Sequence, residues 1–247
     1  MTSSPTPGYG FAAAWHATTG SEGDESLLLG PDVSRTLTSY ICPGETVLDI
    51  AADEFAMVAA QAGAHVTVVD GSSQRLAQVA SDAQRHGVTV DTVHALWPHA
   101  AVAHHDVVVG AGALRRHRDL PAALRAMVLH ADRLLLCVDE AGTPAPHEQV
   151  LAALLGAPVI RQAPRHLLIA GTLAEMGLAA DVRMVTTVRA VTVADETELV
   201  QRLAGRSLPG PLARRLLDLL ASTLSRTPAG NWQYRYPAET GLVVCPV

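Results

Sequence analysis

The 247-residue chain contains no lysine; all 18 of its basic residues are arginine. Without an ε-amine there is no side chain for Schiff-base chemistry, for attachment of pyridoxal phosphate or for a lysine general base. Cysteine is nearly as scarce. Cys42, Cys137 and Cys245 are odd in number and far apart, with no CxxC spacing, which speaks against a disulfide framework or a zinc knuckle. Cys137 lies in the apolar run RLLLCVD and reads as a core thiol. No basic run interrupts a chain of formal net charge -6, so nucleic acid and membrane surfaces find no electrostatic footing. No apolar run approaches the roughly 20 residues that span a bilayer. The opening MTSSPTPGYG lacks the positive region and apolar stretch of a signal peptide. A G-x-S-x-G elbow and a Walker loop are both missing, which leaves hydrolase and NTPase readings unsupported. A cytoplasmic location and a small-molecule substrate are expected, with no nucleic-acid or membrane partner; assembly as a homodimer stays open.

What is present is a packed core. Hydrophobic residues make up 49% and charged residues 17%, the balance of a folded domain. Residues 1–30 form a separate N-terminal segment. Its first eight residues are Ser/Thr/Pro/Gly-rich and read as loose, and YGFAAAWHA reads as a short helix able to act as a lid, with Trp15 or His16 reaching inward. Residues 31–247 are expected to form one α/β domain. Pro31 sits near the start of a first helix and Pro43-Gly44 stop it. Then short apolar strands alternate with helices: TVLDIA, an alanine-rich helix to Gly63, HVTVVD, a helix capped by Ser72 or Ser73 and ended by Gly87, VTVDTV, HDVVVGA, a helix with Pro121 in its first turn, and DRLLLCVD. This alternation predicts βαβ units and a parallel sheet with helices on both faces.

In such a sheet the ligand sits beyond the carboxyl ends of the strands. The loops after the first four strands therefore matter most. Asp70 ends the second strand about 20 residues after the first, where an acid can accept two ribose hydroxyls. The same residue could equally be a turn or helix-capping aspartate.

The layout resembles the class I S-adenosylmethionine-dependent methyltransferases. The resemblance runs through ETVLDIAADEF, HVTVVDGSSQRLAQV, HALWPHAAVAHHDVVVGAGALRRHRDLPAALRAM and RLLLCVDE, about residues 30 to 140, in the family's order and spacing. It implies a Rossmann-like, seven-stranded, mostly parallel sheet with one antiparallel strand near the C-terminus, and S-adenosylmethionine as cofactor. Carried over by motif, the cofactor-binding residues are Ala51, Asp53, Asp70, Gly71, Leu96, Trp97 and Gly110. Three departures accompany it. The family's Gly-x-Gly loop is here Ala51-Ala52-Asp53, followed by Glu54. Those acids would repel the cofactor's carboxylate unless they pair with its cationic groups or point to solvent at the next helix's N-terminus. The acid often found after the third strand is here Leu96, next to Trp97, which reads as an adenine-stacking or a core tryptophan. The segment after the fourth strand is the small Gly110-Ala111-Gly112-Ala113, read as enlarging the cavity or admitting backbone.

For chemistry, the candidate catalytic residues are His117, in LRRHRDL, and His16 of the N-terminal segment. Arg115, Arg116 and Arg118 around His117 either bind an anionic substrate group or lie on the surface. His147 and Glu148 are weaker candidates. His94, His99, His104 and His105 crowd one stretch but lack a spaced carboxylate or cysteine, so no metal site is expected. The resulting expectation is a small-molecule methyltransferase with an atypical cofactor loop. The alternative is a methyltransferase-shaped protein that does not methylate, either a lyase, cyclase or isomerase or a non-catalytic partner.

Overall fold

The computed structural model describes residues 30–51, 54–159 and 163–247, apart from the side chain of Arg116. Helix α1 (Pro31–Thr38) leads into β1 (Thr46–Asp49), α2 (Glu54–Gln61), β2 (His65–Asp70), α3 (Ser73–His86), β3 (Val90–His94) and β4 (His105–Ala111). A short 3-10 turn (Ala113–Arg116), α4 (Leu120–His130) and β5 (Ala131–Glu140) follow. The remainder comprises α5 (Pro146–Leu155), α6 (Arg165–Glu175), β6 (Asp181–Val193), α7 (Glu196–Ala204), α8 (Gly210–Leu220), β7 (Leu224–Arg226) and β8 (Trp232–Pro246).

Local chemistry explains the boundaries. Ser72 caps α3, its hydroxyl accepting the Arg75 N–H at 3.3 Å, and Gly87 ends the helix at φ +68°, a left-handed conformation that glycine adopts without strain. Asp119 caps α4 through the Ala122 N–H at 2.9 Å, with Pro121 in the first turn, where its missing N–H costs nothing.

The sheet order is β3-β2-β1-β4-β5-β8-β6, with β7 paired to β8 alone. The pairs β1/β2, β1/β4, β2/β3 and β4/β5 are parallel, and β5/β8 is antiparallel, with Glu140 opposite Thr240. Alternation along the strands divides the core. Val47, Val66, Val68, Val107, Val109 and Leu136 point to the layer that holds Phe55, Ala59, Leu76 and Val79 of α2 and α3. On the other face α4 and α6 pack on β4 and β5. The fold is thus the mostly parallel α/β sheet with one antiparallel strand that the alternation and the resemblance imply. The strand TVLD, the β-branched HVTVVD and the apolar HDVVVGA all fall where the pattern puts them.

The described residues form two compact units. Unit 1 holds the residues up to Ala141 with Pro164–Val185 and Thr240–Val247; unit 2 holds Gly142–Ala163 and Thr186–Glu239. The reason is a second core. In unit 2, Val193, Leu199, Leu203, Leu216, Leu220, Tyr234 and Tyr236 bury together, and α5 packs on α7 and α8. Among the described residues no helix is long and apolar enough to cross a membrane.

Unit 2 also encloses an aromatic cluster. The His147 ring meets Tyr234 and Tyr236 edge-on, each with ring centroids 5.3 Å apart, and shares a 3.3 Å hydrogen bond with the Tyr234 hydroxyl. Burial pushes the Tyr234 phenol up to about 12 and the His147 imidazole down to about 4. Folding therefore suppresses protonation of His147, and the unfolded chain binds the extra proton. Stability is full above about pH 6.5 and is lost progressively as the pH falls toward about 4. Allowing for partial exposure, the loss attributable to this ring is about 2 kcal/mol. Urea unfolding of the wild type and of His147→Phe at pH 7 and pH 4.5 should show the pH effect reduced in the variant.

Candidate functional site

A cavity of about 710 Å³ opens at the carboxyl ends of β1, β2, β3 and β4, entirely within unit 1. Its wall is made by Ile50 and Ala51 after β1, by Asp70, Gly71, Ser72 and Arg75 after β2, and by Ala95 to His99 after β3. Ala113, His117, Arg118, Asp119 and Ala122 complete it on the β4 side. The parallel sheet accounts for this. Four strands running the same way deliver four loops to one edge, and the order β3-β2-β1-β4 sets them side by side.

Asp70 is the cavity's buried acid, its side chain 3% exposed. Its Oδ1 accepts the Ser72 N–H at 2.7 Å and an Arg75 guanidinium N–H at 2.9 Å. The turn after β2 and the first turn of α3 thus fix the carboxylate at the cavity wall. Arg75 was not singled out in the sequence. The available signal was its place five residues past a strand-ending acid, on a helix that begins at once.

Ala51 lines the cavity and is buried, and its N–H donates to Asp49 Oδ1 at 3.2 Å. No described non-glycine residue has a positive φ, so alanine at 51 is unstrained. Ala52 and Asp53 lie outside the described residues, as does His16. Glu54 is exposed in the first turn of α2, where an acid suits the helix dipole.

Gly71 and Leu96 meet at the cavity's edge. A Cβ at Gly71 would meet Leu96 Cδ2, so a larger residue there would have to displace the Leu96 side chain. Leu96 itself is 72% exposed. Trp97 is 6% exposed and donates its Nε1–H to the Ala123 carbonyl at 3.1 Å, which fixes one edge of the indole in the core while the residue still borders the cavity.

The β4 side is shaped by packing and by buried charge. Gly110 does not line the cavity: it is buried in β4, where an added Cβ would lie 3.0 Å from Met127 Cε and 3.2 Å from Ile50 Cδ1. Gly112 takes φ +68° to turn the chain into the 3-10 segment. The small residues therefore serve packing and a turn, and only Ala113 of the four reaches the cavity. Arg115 is turned inward and is not a ligand-facing group. It pairs with Asp139 at 3.1 Å and Glu140 at 3.0 Å, while Arg165 pairs with the other Asp139 oxygen at 3.2 Å. Burial pulls both guanidiniums down. At Arg115 the two carboxylates outweigh it and hold the group above its ordinary value; at Arg165 burial prevails and the group sits below. His117 is half-buried on the cavity wall and Arg118 is exposed beside it.

Three of the crowded histidines have separate partners. His94 Nε2 lies 3.1 Å from the Gly71 carbonyl, His104 pairs with Asp132 at 3.0 Å, and His105 Nε2 lies 3.1 Å from Thr67 Oγ1. Among the described residues no group of three or more His, Cys, Asp or Glu could hold a metal ion. His147 and Glu148 belong to unit 2 and are not part of the cavity wall.

Sheet order, the antiparallel last strand and the position of the cavity define the class I S-adenosylmethionine-dependent methyltransferase fold. Solved structures agree. The YcgJ protein from Bacillus subtilis matches over 86% of this chain and 97% of its own at 15% identity and a TM-score of 0.54. Magnesium protoporphyrin IX methyltransferase from Synechocystis PCC 6803, with bound S-adenosylhomocysteine, covers 95% of this chain and 92% of its own at 14% identity and a TM-score of 0.53. A SAM-dependent methyltransferase from Geobacter sulfurreducens, in complex with S-adenosyl-L-homocysteine, covers 94% and 98% at 18% identity and a TM-score of 0.53. No protein-family model and no curated protein sequence matches the chain.

Proposed function

We propose that the protein is a methyltransferase that binds S-adenosylmethionine and acts on a small molecule. The observation that carries the reading is the buried, doubly anchored Asp70 carboxylate on the wall of a cavity at the carboxyl ends of β1 to β4. The cavity is of the size that holds cofactor-sized ligands. Its residues fit the group: Asp70 would accept the ribose hydroxyls, and the unstrained Ala51 backbone would border the methionine portion. Bound there, the cofactor would supply an electrophilic methyl group on sulfur. His117 stands on the β4 side, where an acceptor would enter, and its imidazole would take the acceptor's proton. Orientation of the acceptor by the cavity wall would contribute much of the rate. Structural neighbours crystallised with S-adenosylhomocysteine support the cofactor assignment. Isothermal titration calorimetry of the full chain with S-adenosylmethionine and S-adenosylhomocysteine tests it. Saturable binding with a sub-millimolar Kd is expected; no heat at millimolar ligand would remove the assignment.

A further inference from the structure

Among the described residues, the loop after β3 offers few side-chain atoms able to read the edge of a base. A nucleoside held through its ribose by Asp70 must set its base to one side of β2. The side toward β1 and β4 leads to His117, so the base falls on the β3 side, against Ala95 to His99. There Ala95, Leu96 and Pro98 are apolar. Trp97 has committed its one side-chain donor to the Ala123 carbonyl, and His94, at the end of the strand, is engaged with the Gly71 carbonyl. Leu96 is laid across Gly71, beside the ribose-binding acid. The remaining side-chain heteroatoms of the loop belong to the exposed His99. A neutral imidazole presents one bare nitrogen and one N–H, and exchange of tautomers swaps them. It meets an exocyclic amino group or a carbonyl equally well. A fixed carboxylate or amide, by contrast, would be left unpaired by one of the two and would reject it.

We infer that the site takes 6-amino and 6-oxo purine nucleosides alike, so that its ligand class extends from S-adenosyl to S-inosyl compounds. The inference rests on the reading of Asp70 as the ribose-binding acid. Calorimetric titration of the full chain with S-adenosylhomocysteine and with its deaminated counterpart, S-inosylhomocysteine, is the test. Dissociation constants within about fivefold of each other are expected, less than the discrimination that a built polar contact gives. A preference above about fivefold with the adenosyl compound still bound overturns the inference alone; binding of neither removes the ribose assignment and the inference with it. A second variant checks the placement of the base. Leu96→Asp changes an exposed side chain and sets a fixed acceptor beside Gly71. It should shift the ratio toward the adenosyl compound by about tenfold. An unchanged ratio in this variant, or loss of the adenosyl compound, overturns the placement.

Discussion

Replacing Asp139 by alanine should lower the unfolding free energy by about 3–5 kcal/mol, the range seen when one member of a buried ion pair is removed. Asp139 is fully buried and both of its oxygens are engaged, one by Arg115 and one by Arg165, whose side chain is 2% exposed. Without the carboxylate, Arg165 would keep its charge in a place that water does not reach. Arg115 retains Glu140 at 3.0 Å, so the larger part of the penalty falls on Arg165. Urea denaturation followed by circular dichroism measures the effect. Asp132→Ala breaks an exposed pair with His104 and serves as the comparison; its cost should stay within about 0.5 kcal/mol. A loss below about 1 kcal/mol at Asp139 would show that the arginines find other partners.

The second large effect concerns ligand affinity. Asp70→Ala removes the acceptor that would hold two ribose hydroxyls, and hydrogen bonds to a charged group contribute about 1.5–3 kcal/mol each. The Kd for S-adenosylhomocysteine should rise by about 100-fold or more, measured by calorimetry. Asp70→Asn keeps the shape and an acceptor for the Ser72 N–H but loses the charge that Arg75 balances. It should fall between wild type and alanine. Equal affinity in all three proteins would place the ribose elsewhere in the cavity.

Much of this architecture was legible from one sequence because strand and helix periods change cleanly between 46 and 140. Ser72, Gly87 and Pro121 sit where capping chemistry requires them. Asp70, Leu96 and Trp97 could be placed near one another because parallel strands bring their following loops to one edge. Three things were not legible. Gly110 read as a loop residue, yet its smallness answers to Met127 and Ile50, neighbours brought close only by the tertiary fold. Arg115 read as a ligand-facing or a surface arginine because Arg116, His117 and Arg118 follow it, although an acid in LLLCVDE had to find a buried cation somewhere. The second core was not legible because it joins α5 to helices 40 to 70 residues further on, a distance that no local pattern reports.

The chain passes between the two units at four points, and three of these adjoin the Asp139 cluster in unit 1. Glu140 precedes one departure, Arg165 follows one return, and Thr240, opposite Glu140 in the sheet, follows another; His166 Nδ1 is 3.1 Å from the Glu140 carbonyl and its ring abuts Gly241. Unit 1 thus ties these threads into one knot of charge. Lengthening or remodelling the intervening segments would leave β1 to β5, which lie wholly in unit 1, undisturbed, so the cassette those segments encode is free to diversify while the parallel part of the sheet stays constant.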